Sequence, residues 1–136
     1  VRLGGGVNHR MGLYDMIMLK DNHVDYAGGI TAAVRRTEEY LRKHKLPLKI
    51  EVESRNLNEV REILEAGGVD RIMLDNFDIP ATREAVALIG GRAETESSGG
   101  ITLANVRDYA LCGVDFISIG ALTHHIKSLD MSLKAY

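Results

Sequence analysis

Several residue types that mark particular protein classes are scarce in this sequence. It contains one cysteine, two prolines, no tryptophan and 5% aromatic residues. The single cysteine, Cys112, excludes an internal disulfide framework and favours a reducing compartment, so we expect a cytoplasmic protein. No apolar run approaches the roughly 18–20 residues that span a bilayer, and the N-terminal residues do not resemble a signal peptide. We therefore expect no membrane partner.

An excess of charge of one sign is also missing. The chain has 17 Lys and Arg residues and 19 Asp and Glu residues, which gives a net charge of −2. A broad nucleic-acid surface needs a basic excess, so we expect no nucleic-acid partner. If the protein binds an anionic substrate, local cations must hold it, because the overall field does not attract it.

The residues that are abundant are typical of one globular domain. The chain has 136 residues, of which 45% are hydrophobic and 26% are charged. A chain of this size buries roughly 65–70% of its unfolded surface and can form a real core. The chain begins with Val1 rather than Met and runs directly into a glycine cluster. We therefore expect it to be part of a longer protein.

Short apolar runs recur along the chain and predict five strands. From the second run onward they are about 22 or 23 residues apart, which is a common length for a βα repeat. The predicted strands are residues 16–20, 48–53, 71–75, 93–97 and 116–120.

Helical periodicity fills the intervals between these strands. Apolar residues at helical spacing from Ile30 to Leu41 predict one helix with charged residues on its outer side. Asn56, followed three residues later by Glu59, resembles a capping box at the start of the next helix. Gly67 is expected to end that helix.

Two more helices are predicted further along the chain. Asp78 and Pro80 open the first of them, because proline is tolerated in the first helical turn. Thr102 is predicted to cap the second, which ends at Gly113. The apolar face of that last helix is expected to carry Leu103, Val106 and Ala110.

The alternation of strands and helices predicts an α/β fold with a parallel sheet and right-handed crossovers. Five strands can form a small open sheet or part of an α/β barrel. A closed eightfold barrel takes about 250 residues, and this chain has about half of that length.

Polar residues cluster directly after the predicted strands. In a parallel sheet all carboxyl ends of strands lie at one edge, so we expect these residues to converge there and to form a site. The residues are Lys20, Asp21, Asn22 and His23, then Glu53, then Asp75 and Asn76, then Ser97, Ser98, Gly99 and Gly100, and finally Gly120, Thr123 and His124.

Each charged residue at a strand end has a structural and a functional interpretation. Lys20 can be a surface lysine or salt-bridge partner, or a Schiff-base nucleophile if it is desolvated. Glu53 and Asp75 can cap the following helices. Alternatively, two carboxylates on neighbouring strands can hold a hard cation or sugar hydroxyls.

The glycines at the strand ends also have two interpretations. Ser98, Gly99 and Gly100 can be an ordinary turn. They can also be a phosphate cradle, because glycines let backbone N–H groups and the following helix N-terminus approach an anion. In the second case a side chain at Gly99 or Gly100 would fill the space of the phosphate. Gly120 would close the next loop in the same way.

Histidines and an arginine flank the repeat. Arg10, next to His9, can pair with a carboxylate ligand through two parallel hydrogen bonds. His124 and His125 are interpreted as mainly structural or supporting, because adjacent residues rarely supply two metal ligands. Cys112 lies on an apolar helix face and is expected to be a buried small residue rather than a nucleophile.

Together, these cations, carboxylates and glycine loops suit a phosphorylated sugar and a carboxylate-bearing second substrate. The residues alone do not name the reaction.

Longer motifs in the chain resemble a known family, quinolinate phosphoribosyltransferase, which is the carboxylating nicotinate-nucleotide pyrophosphorylase. The resemblance covers the whole chain in order. The motifs are Gly4-Gly5-Gly6-Val7-Asn8-His9-Arg10-Met11-Gly12-Leu13, Leu19-Lys20-Asp21-Asn22-His23, Ile50-Glu51-Val52-Glu53, Leu74-Asp75-Asn76-Phe77, Glu96-Ser97-Ser98-Gly99-Gly100-Ile101 and Gly120-Ala121-Leu122-Thr123-His124.

The resemblance implies an enzyme of de novo NAD biosynthesis. In this family quinolinate and phosphoribosyl pyrophosphate give nicotinate mononucleotide, pyrophosphate and CO₂, with Mg²⁺. The implied catalytic residues are Lys20, Glu53 and Asp75, of which Glu53 and Asp75 would also hold the metal, partly through water or pyrophosphate. The implied substrate-binding residues are His9, Arg10, Lys20, Glu53, Asp75, Ser98, Gly99, Gly100, Gly120 and His124. The family also implies a homodimer or larger homo-oligomer.

The chain also departs from the family pattern. It matches the C-terminal portion of the barrel domain, so the N-terminal domain and the first barrel segment are expected to be absent from residues 1–136. Arg55, which follows Glu53 by two positions, has no assigned role. We do not expect the fragment to be active alone.

Alternatives to this assignment remain open. They are a paralogue with another pyridine or pyrimidine acceptor, a Schiff-base barrel aldolase that uses Lys20, and a non-catalytic assembly fragment.

Overall fold

A computed structural model of the protein describes residues 1–124 and 128–135. After a short 3-10 helix, Arg2–Gly4, strands and helices alternate along these ranges. The strands are β1 (Met16–Leu19), β2 (Lys49–Ser54), β3 (Arg71–Asp75), β4 (Glu94–Ser98) and β5 (Phe116–Ile117). The helices are α1 (Asp21–Ala27), α2 (Ile30–His44), α3 (Leu57–Ala66), α4 (Ile79–Ile89), α5 (Val106–Ala110) and α6 (Ala121–His124). None of the described helices has the length and apolar content needed to cross a membrane.

The five strands form one sheet in which the order in space is the order in sequence. All neighbouring pairs are parallel, and Glu51 lies opposite Arg71, which in turn lies opposite Glu94. Consecutive helices from α1 to α4 contact one another, so they cover the same face of the sheet. Sequential order with helices on one face is the winding of an α/β barrel. The predicted fold class and the five parallel strands are confirmed.

Local side-chain contacts explain where two of the helices begin. Asn56 precedes α3, and its Oδ1 accepts hydrogen bonds from the N–H groups of Asn58 and Glu59 at 3.0 and 3.1 Å. Asp78 precedes α4 and accepts from Ala81 N at 2.8 Å, with proline in the first turn. Such caps satisfy N–H groups that have no partner inside the helix.

The predicted capping box at α3 differs in one contact. The Glu59 carboxylate does not return to Asn56 but accepts from Arg55 N at 2.7 Å and from Arg55 Nε at 2.8 Å. Arg55 also lies 3.5 Å from Asp25. These contacts give Arg55 a structural role at the start of α3.

The apolar core lies between the sheet and the helix layer. Alternate residues of the central strands, such as Val52 and Ile72, are fully buried against helix residues such as Val34, Val60 and Ile89. Cys112 is buried as expected, with its Sγ 3.2 Å from the carbonyl oxygen of Asp108.

The last predicted helix is wrong in its start and in its apolar face. Helix α5 begins at Val106, three residues later than predicted, and Leu103 is 93% exposed. The Asn105 side chain accepts from Thr102 N at 2.7 Å and folds residues 102–105 into a turn. A short polar side chain that bonds to nearby backbone competes with helix formation, and here it delays the helix.

Helix α1 has no counterpart in the sequence prediction. The polar residues after β1 form its first turn, and Lys20 N donates to the Nδ1 atom of His23 at 3.0 Å. Gly28 then ends the helix with φ +88°. The polar composition of the segment concealed a helix that is only seven residues long.

Candidate active site

A cleft of about 730 Å³ opens at the carboxyl ends of the strands. Nine of the ten predicted substrate-binding residues, all ten of which are described, line this cleft. The exception is Asp75, which ends β3 opposite Ser98, one of the nine. Lining residues from the prediction are His9, Arg10, Lys20, Glu53, Ser98, Gly99, Gly100, Gly120 and His124. The sequence pattern therefore brings together side chains from the N-terminal segment and from four strand ends.

The N-terminal segment supplies His9 and Arg10 to one side of the cleft. Asp15 fastens this segment by accepting from Met11 N at 2.7 Å and from Gly12 N at 3.4 Å. The hydrogen bond from Met11 is the main reason that the pKa of Asp15 lies below its usual value. The segment is thus held in a loop that delivers two potential cations to the strand edge.

Lys20 and Glu53 bring opposite charges to adjacent strand ends. Lys20 is exposed at the end of β1, and Glu53 is half-buried in β2. Burial raises the pKa of Glu53, while a hydrogen bond from Asp21 N at 3.3 Å and the Lys20 charge lower it. Glu53 therefore lies in a less hydrated setting than a surface carboxylate, with a cation nearby.

Asp75 is held by the residue that follows it. Asn76 Nδ2 donates to Asp75 Oδ2 at 2.7 Å, and Asn76 N donates to the carbonyl oxygen of Ser98 at 2.8 Å. Asn76 has φ +55°, a left-handed conformation that asparagine tolerates better than most residues. The end of β3 is thereby tied to the end of β4.

The two glycines after β4 meet different surroundings. A Cβ at Gly99 would contact Asn76 Oδ1 and lie 2.6 Å from Asn76 Cγ and 2.9 Å from Asn76 N, at φ +94°. A Cβ at Gly100 would meet nothing within 4 Å, at φ +61°. Both positions were expected to keep space for a ligand. At Gly99, however, the space that a side chain would fill is occupied by Asn76.

The backbone of this loop is available to an anion. Within the described residues, the N–H groups of Gly100 and Gly120 have no acceptor. The helix that follows contributes little, because α5 has five residues and starts six residues after Gly100. The helix was expected to begin directly after this loop, at the Thr102 cap, whereas the turn held by Asn105 separates Gly100 from the first residue of α5.

Gly120 allows close approach of a histidine. A Cβ there would lie 2.5 Å from His124 Nε2 and 3.3 Å from His124 Cδ2. His124 is the last residue of α6 and lines the cleft. His125, which the sequence pairs with it, lies outside the described residues.

A set of charged residues on the face of the sheet opposite the helices, the inner face, was not identified from the sequence. Glu51 and Glu96 are 0% and 1% exposed, and Arg71 lies between their strands. Arg71 Nη1 donates to Glu96 Oε2 at 3.0 Å, and its Nη2 donates to Glu94 Oε2 at 3.1 Å. The Arg71 guanidinium also lies 3.8 Å from the ring centre of Phe116.

The N-terminal segment reaches this charged set through His9. Its Nε2 lies 2.8 Å from Glu51 Oε2 and 3.5 Å from Glu96 Oε2. Burial, and then the nearby Glu96 charge, raise the pKa of Glu51 to about 7, against the opposing effects of His9 and Arg71. A signal was present, because charged residues alternate at period two in β2 and β4, and period two places them on one face of the sheet.

The carboxylate oxygens of Glu53 and Asp75 fit a hard cation. Magnesium is commonly held by one or two carboxylates together with substrate phosphates and water. Burial and the negative charge of Asp75 both disfavour the charged form of Glu53, and a bound cation would stabilise that form. Glu53 and Asp75 suit a magnesium ion that is also bound by substrate phosphates and water, rather than one held by protein ligands alone.

The chain matches the family model "Quinolinate phosphoribosyl transferase, C-terminal domain" over residues 1–134. It is 51% identical to a protein of Arabidopsis thaliana named chloroplastic nicotinate-nucleotide pyrophosphorylase (carboxylating), with 98% of this chain and 42% of that protein covered. A probable nicotinate-nucleotide pyrophosphorylase (carboxylating) of Bacillus subtilis is 42% identical, with 98% and 45% covered.

A solved structure gives the same result. The crystal structure of NadC from Streptococcus pyogenes superposes with a TM-score of 0.88 at 40% identity, and covers 98% of this chain and 46% of that one. The chain spans less than half the length of these relatives. A family match along nearly the whole chain and a shared fold at this identity are sufficient for an assignment. The chain belongs to the quinolinate phosphoribosyltransferase family and corresponds to its C-terminal domain.

Proposed function

We propose that this domain carries the catalytic residues of a phosphoribosyltransferase that joins quinolinate to phosphoribosyl pyrophosphate and releases pyrophosphate and CO₂ to give nicotinate mononucleotide. The observation that carries the proposal is the arrangement of the cleft. Cationic side chains line the cleft from the N-terminal segment and β1, and Glu53 and the glycine loops line it from β2, β4 and β5. Asp75 ends β3 opposite the lining residue Ser98. A dianionic acceptor and a phosphorylated sugar need these two kinds of surface side by side.

The cationic side of the cleft would bind the acceptor. Quinolinate carries two carboxylates on one ring, and a guanidinium binds a carboxylate through two parallel hydrogen bonds. Arg10 would fix the orientation of one carboxylate, and Lys20 would contribute a compact charge to the other. His9 lines the same side.

The carboxylate side would bind the donor sugar. Departure of pyrophosphate leaves positive charge on the ribose ring, and Glu53 and Asp75 would stabilise that charge and accept from the ribose hydroxyls. The N–H groups of Gly100 and Gly120 would donate to the phosphate, as they have no acceptor within the described residues. Magnesium, when bound with the substrate, would neutralise the leaving pyrophosphate. Fixed charges of this kind act by preorganised electrostatic stabilisation.

Loss of CO₂ would need no protein nucleophile. Once its nitrogen carries the sugar, the cationic pyridine ring stabilises the electron pair that stays on C2 when its carboxylate leaves as CO₂. A proton from water then forms the C2–H bond of nicotinate mononucleotide. Lys20 is exposed and lies beside Glu53, whereas a Schiff-base lysine is normally activated by desolvation or a neighbouring cation. These surroundings favour Lys20 as a charge over the aldolase alternative.

The assembly and the compartment are part of the proposal. We infer a homodimer or larger homo-oligomer, to be measured by light scattering of the complete protein. A cytoplasmic location rests on the single cysteine, whereas the names of several plant relatives give a chloroplast or mitochondrion. Fractionation of cells with the complete protein would distinguish these compartments.

The reaction can be tested directly in the complete protein. Quinolinate labelled in its 2-carboxylate should release labelled CO₂ only when phosphoribosyl pyrophosphate and Mg²⁺ are present, with nicotinate mononucleotide formed in equal amount. Lys20→Ala should lower quinolinate affinity about 10- to 150-fold, since a hydrogen bond to a charged group contributes about 1.5–3 kcal/mol.

Lys43→Ala is the matched control, because Lys43 is an exposed lysine on α2 and does not line the cleft. Equal turnover and quinolinate affinity in both variants would contradict the role of Lys20. Absence of labelled CO₂ with the unaltered protein would contradict the reaction, and borohydride trapping of a carbonyl substrate on Lys20 would support the aldolase instead.

A further inference from the structure

The strongest feature outside the substrate contacts is the attachment of His9 to buried carboxylates of the inner face. His9 comes from a loop with little regular structure, and its side chain is 28% exposed. Its Nε2 atom lies 2.8 Å from Oε2 of Glu51, a residue 42 positions later in the chain. One edge of the imidazole is therefore held by the sheet, while the residue also lines the cleft.

Because Glu51 is buried, loss of its contact with His9 would cost free energy. The Glu51 side chain is 0% exposed, and its Oε1 has no hydrogen-bond partner among the described residues. His9 is thus the hydrogen-bonding partner of Glu51 in this part of the chain. A carboxylate that is cut off from water and has a single such partner strongly favours the geometry in which that partner is present.

Glu96 completes the setting but is held by other groups. Its Oε1 accepts from Ser118 Oγ at 2.6 Å, and its Oε2 accepts from Arg71 at 3.0 Å. It lies 3.5 Å from His9 Nε2 and so adds negative charge on the same side of the ring. Ser118 and Arg71 fix the orientation of Glu96, so the imidazole of His9 lies next to a carboxylate in a fixed position.

The same three side chains have the composition of a metal site, since one ligand atom from each lies within 4.8 Å of the others. Two observations speak against a cation there. Arg71 already donates to the Glu96 oxygen that would bind the ion, and the Arg71 charge would repel it. The distance of 2.8 Å between His9 and Glu51 is that of a direct hydrogen bond.

We propose that Glu51 is a positioning residue that fixes the imidazole of His9 for contact with the acceptor. Glu51 holds Nε2 against the sheet, so the Nδ1 edge of the ring is presented to the cleft in one orientation. The contact holds the His9 side chain in one position although His9 belongs to an irregular loop. The identity of the acceptor rests on the proposed function, but the fixation of His9 does not.

The kinetic test uses the complete protein with Glu51→Gln, which keeps the volume and removes the charge. Charge-assisted hydrogen bonds are roughly twice as strong as neutral ones, so the KM for quinolinate should rise about 3- to 10-fold. The KM for phosphoribosyl pyrophosphate should change less than twofold. Glu94→Gln is the matched control, because Glu94 is an inner-face carboxylate that binds Lys49 and Arg71 rather than His9.

A second variant separates positioning from general destabilisation. In a His9→Ala background, Glu51→Gln should cause no further rise in the KM for quinolinate, because its effect passes through the missing ring. An additive effect, or an equal rise for both substrates, would show a merely structural role and would overturn the proposal.

A spectroscopic test does not depend on activity. The ¹⁵N signals of the His9 ring should report a proton held on Nε2, both in the neutral ring and in the imidazolium that would donate from Nδ1 to an acceptor carboxylate. This signature should be lost in Glu51→Leu or weakened in Glu51→Gln, but retained in Glu94→Gln. If Glu51→Leu fails to fold, Glu51→Gln decides the question. An unchanged His9 signature in folded Glu51 variants would overturn the proposal.

The same spectra distinguish the remaining outcomes. A shift of the His9 signals on addition of Zn²⁺ or Mg²⁺ alone, absent in Glu51→Gln, would show a cation site in place of the hydrogen bond. If quinolinate is not a substrate but the His9 signature depends on Glu51, the proposed function fails and the positioning role stands.

Discussion

Alanine at Gly100 and alanine at Gly99 should impair different properties of the protein, although the two residues are adjacent. At Gly100 the added methyl group meets no atom within 4 Å, and only the left-handed backbone at φ +61° resists it. At Gly99 the methyl group collides with Asn76, including its backbone nitrogen at 2.9 Å. Gly100→Ala should therefore disturb the cleft, and Gly99→Ala should disturb the fold around it.

The magnitudes follow from these contacts. The left-handed conformation costs an alanine about 1–2 kcal/mol, which is the expected loss of unfolding free energy for Gly100→Ala. Gly99→Ala has the same strain and also displaces Asn76, which donates to Asp75 and to Ser98. Two lost hydrogen bonds add about 0.5–1.5 kcal/mol each, for a total of about 2–5 kcal/mol.

Ligand binding should separate the two variants further. If the Gly100 N–H donates to a phosphate, the methyl group of Gly100→Ala hinders that contact. Loss of one hydrogen bond to a charged group should weaken phosphoribosyl pyrophosphate binding about 10- to 150-fold. Quinolinate binding through Arg10 and Lys20 should remain within about twofold.

Calorimetric titration of each ligand, combined with urea unfolding of the complete protein, measures both effects. Normal phosphosugar binding by Gly100→Ala would mean that the loop is only a turn. A larger loss of stability in Gly100→Ala than in Gly99→Ala would refute the steric reasoning.

Three further predictions concern the caps, the acid range and the last loop. Asn56→Ala should lower the free energy of unfolding by about 1 kcal/mol, because two N–H groups of α3 lose their acceptor; an unchanged urea midpoint would contradict it. The Thr95 backbone N–H and hydroxyl hold the pKa of Asp115 below its usual value, so this carboxylate stabilises the fold above about pH 4 and less as the pH falls through its folded-state pKa. Asp115→Asn should therefore lose stability at pH 7 and show a smaller further loss toward pH 3; parallel pH curves for both proteins would contradict this. Gly120→Ala should displace the His124 ring, visible as a change in its NMR signals, and identical signals would contradict the close approach.

The fold was largely predictable because short apolar runs such as Ile72 to Leu74 are interrupted by helices at a regular interval. The convergence of the strand-end residues followed from the parallel topology alone. Thr102 misled the helix prediction because a threonine before apolar residues resembles a cap. The competing contact from Asn105 depends on loop geometry that the sequence pattern does not encode.

The inner face was missed for a different physical reason. A charged residue within an apolar run is normally interpreted as pointing to solvent, yet Glu51 and Glu96 are buried. Their burial depends on partners far along the chain, since Arg71 lies between them in the sheet and His9 comes from another segment. The register of the strands places Glu51, Arg71 and Glu94 side by side, and the fold of the N-terminal loop adds His9.

The sequential strand order also has a consequence for how the chain folds. From β2 onward, each strand pairs with a neighbour only about 20 residues away, whereas pairing of β1 with β2 closes a loop of about 33 residues. The longer loop between β1 and β2 costs only about 0.4 kcal/mol more in loop-closure free energy than a loop of about 20 residues. Pairing at this short sequence separation lowers the contact order, which favours faster folding than long-range strand pairing does. Glu53 and Asp75 lie on β2 and β3, which pair on both sides within the described sheet, so the carboxylate side of the cleft stands on the strands with the most ladder contacts.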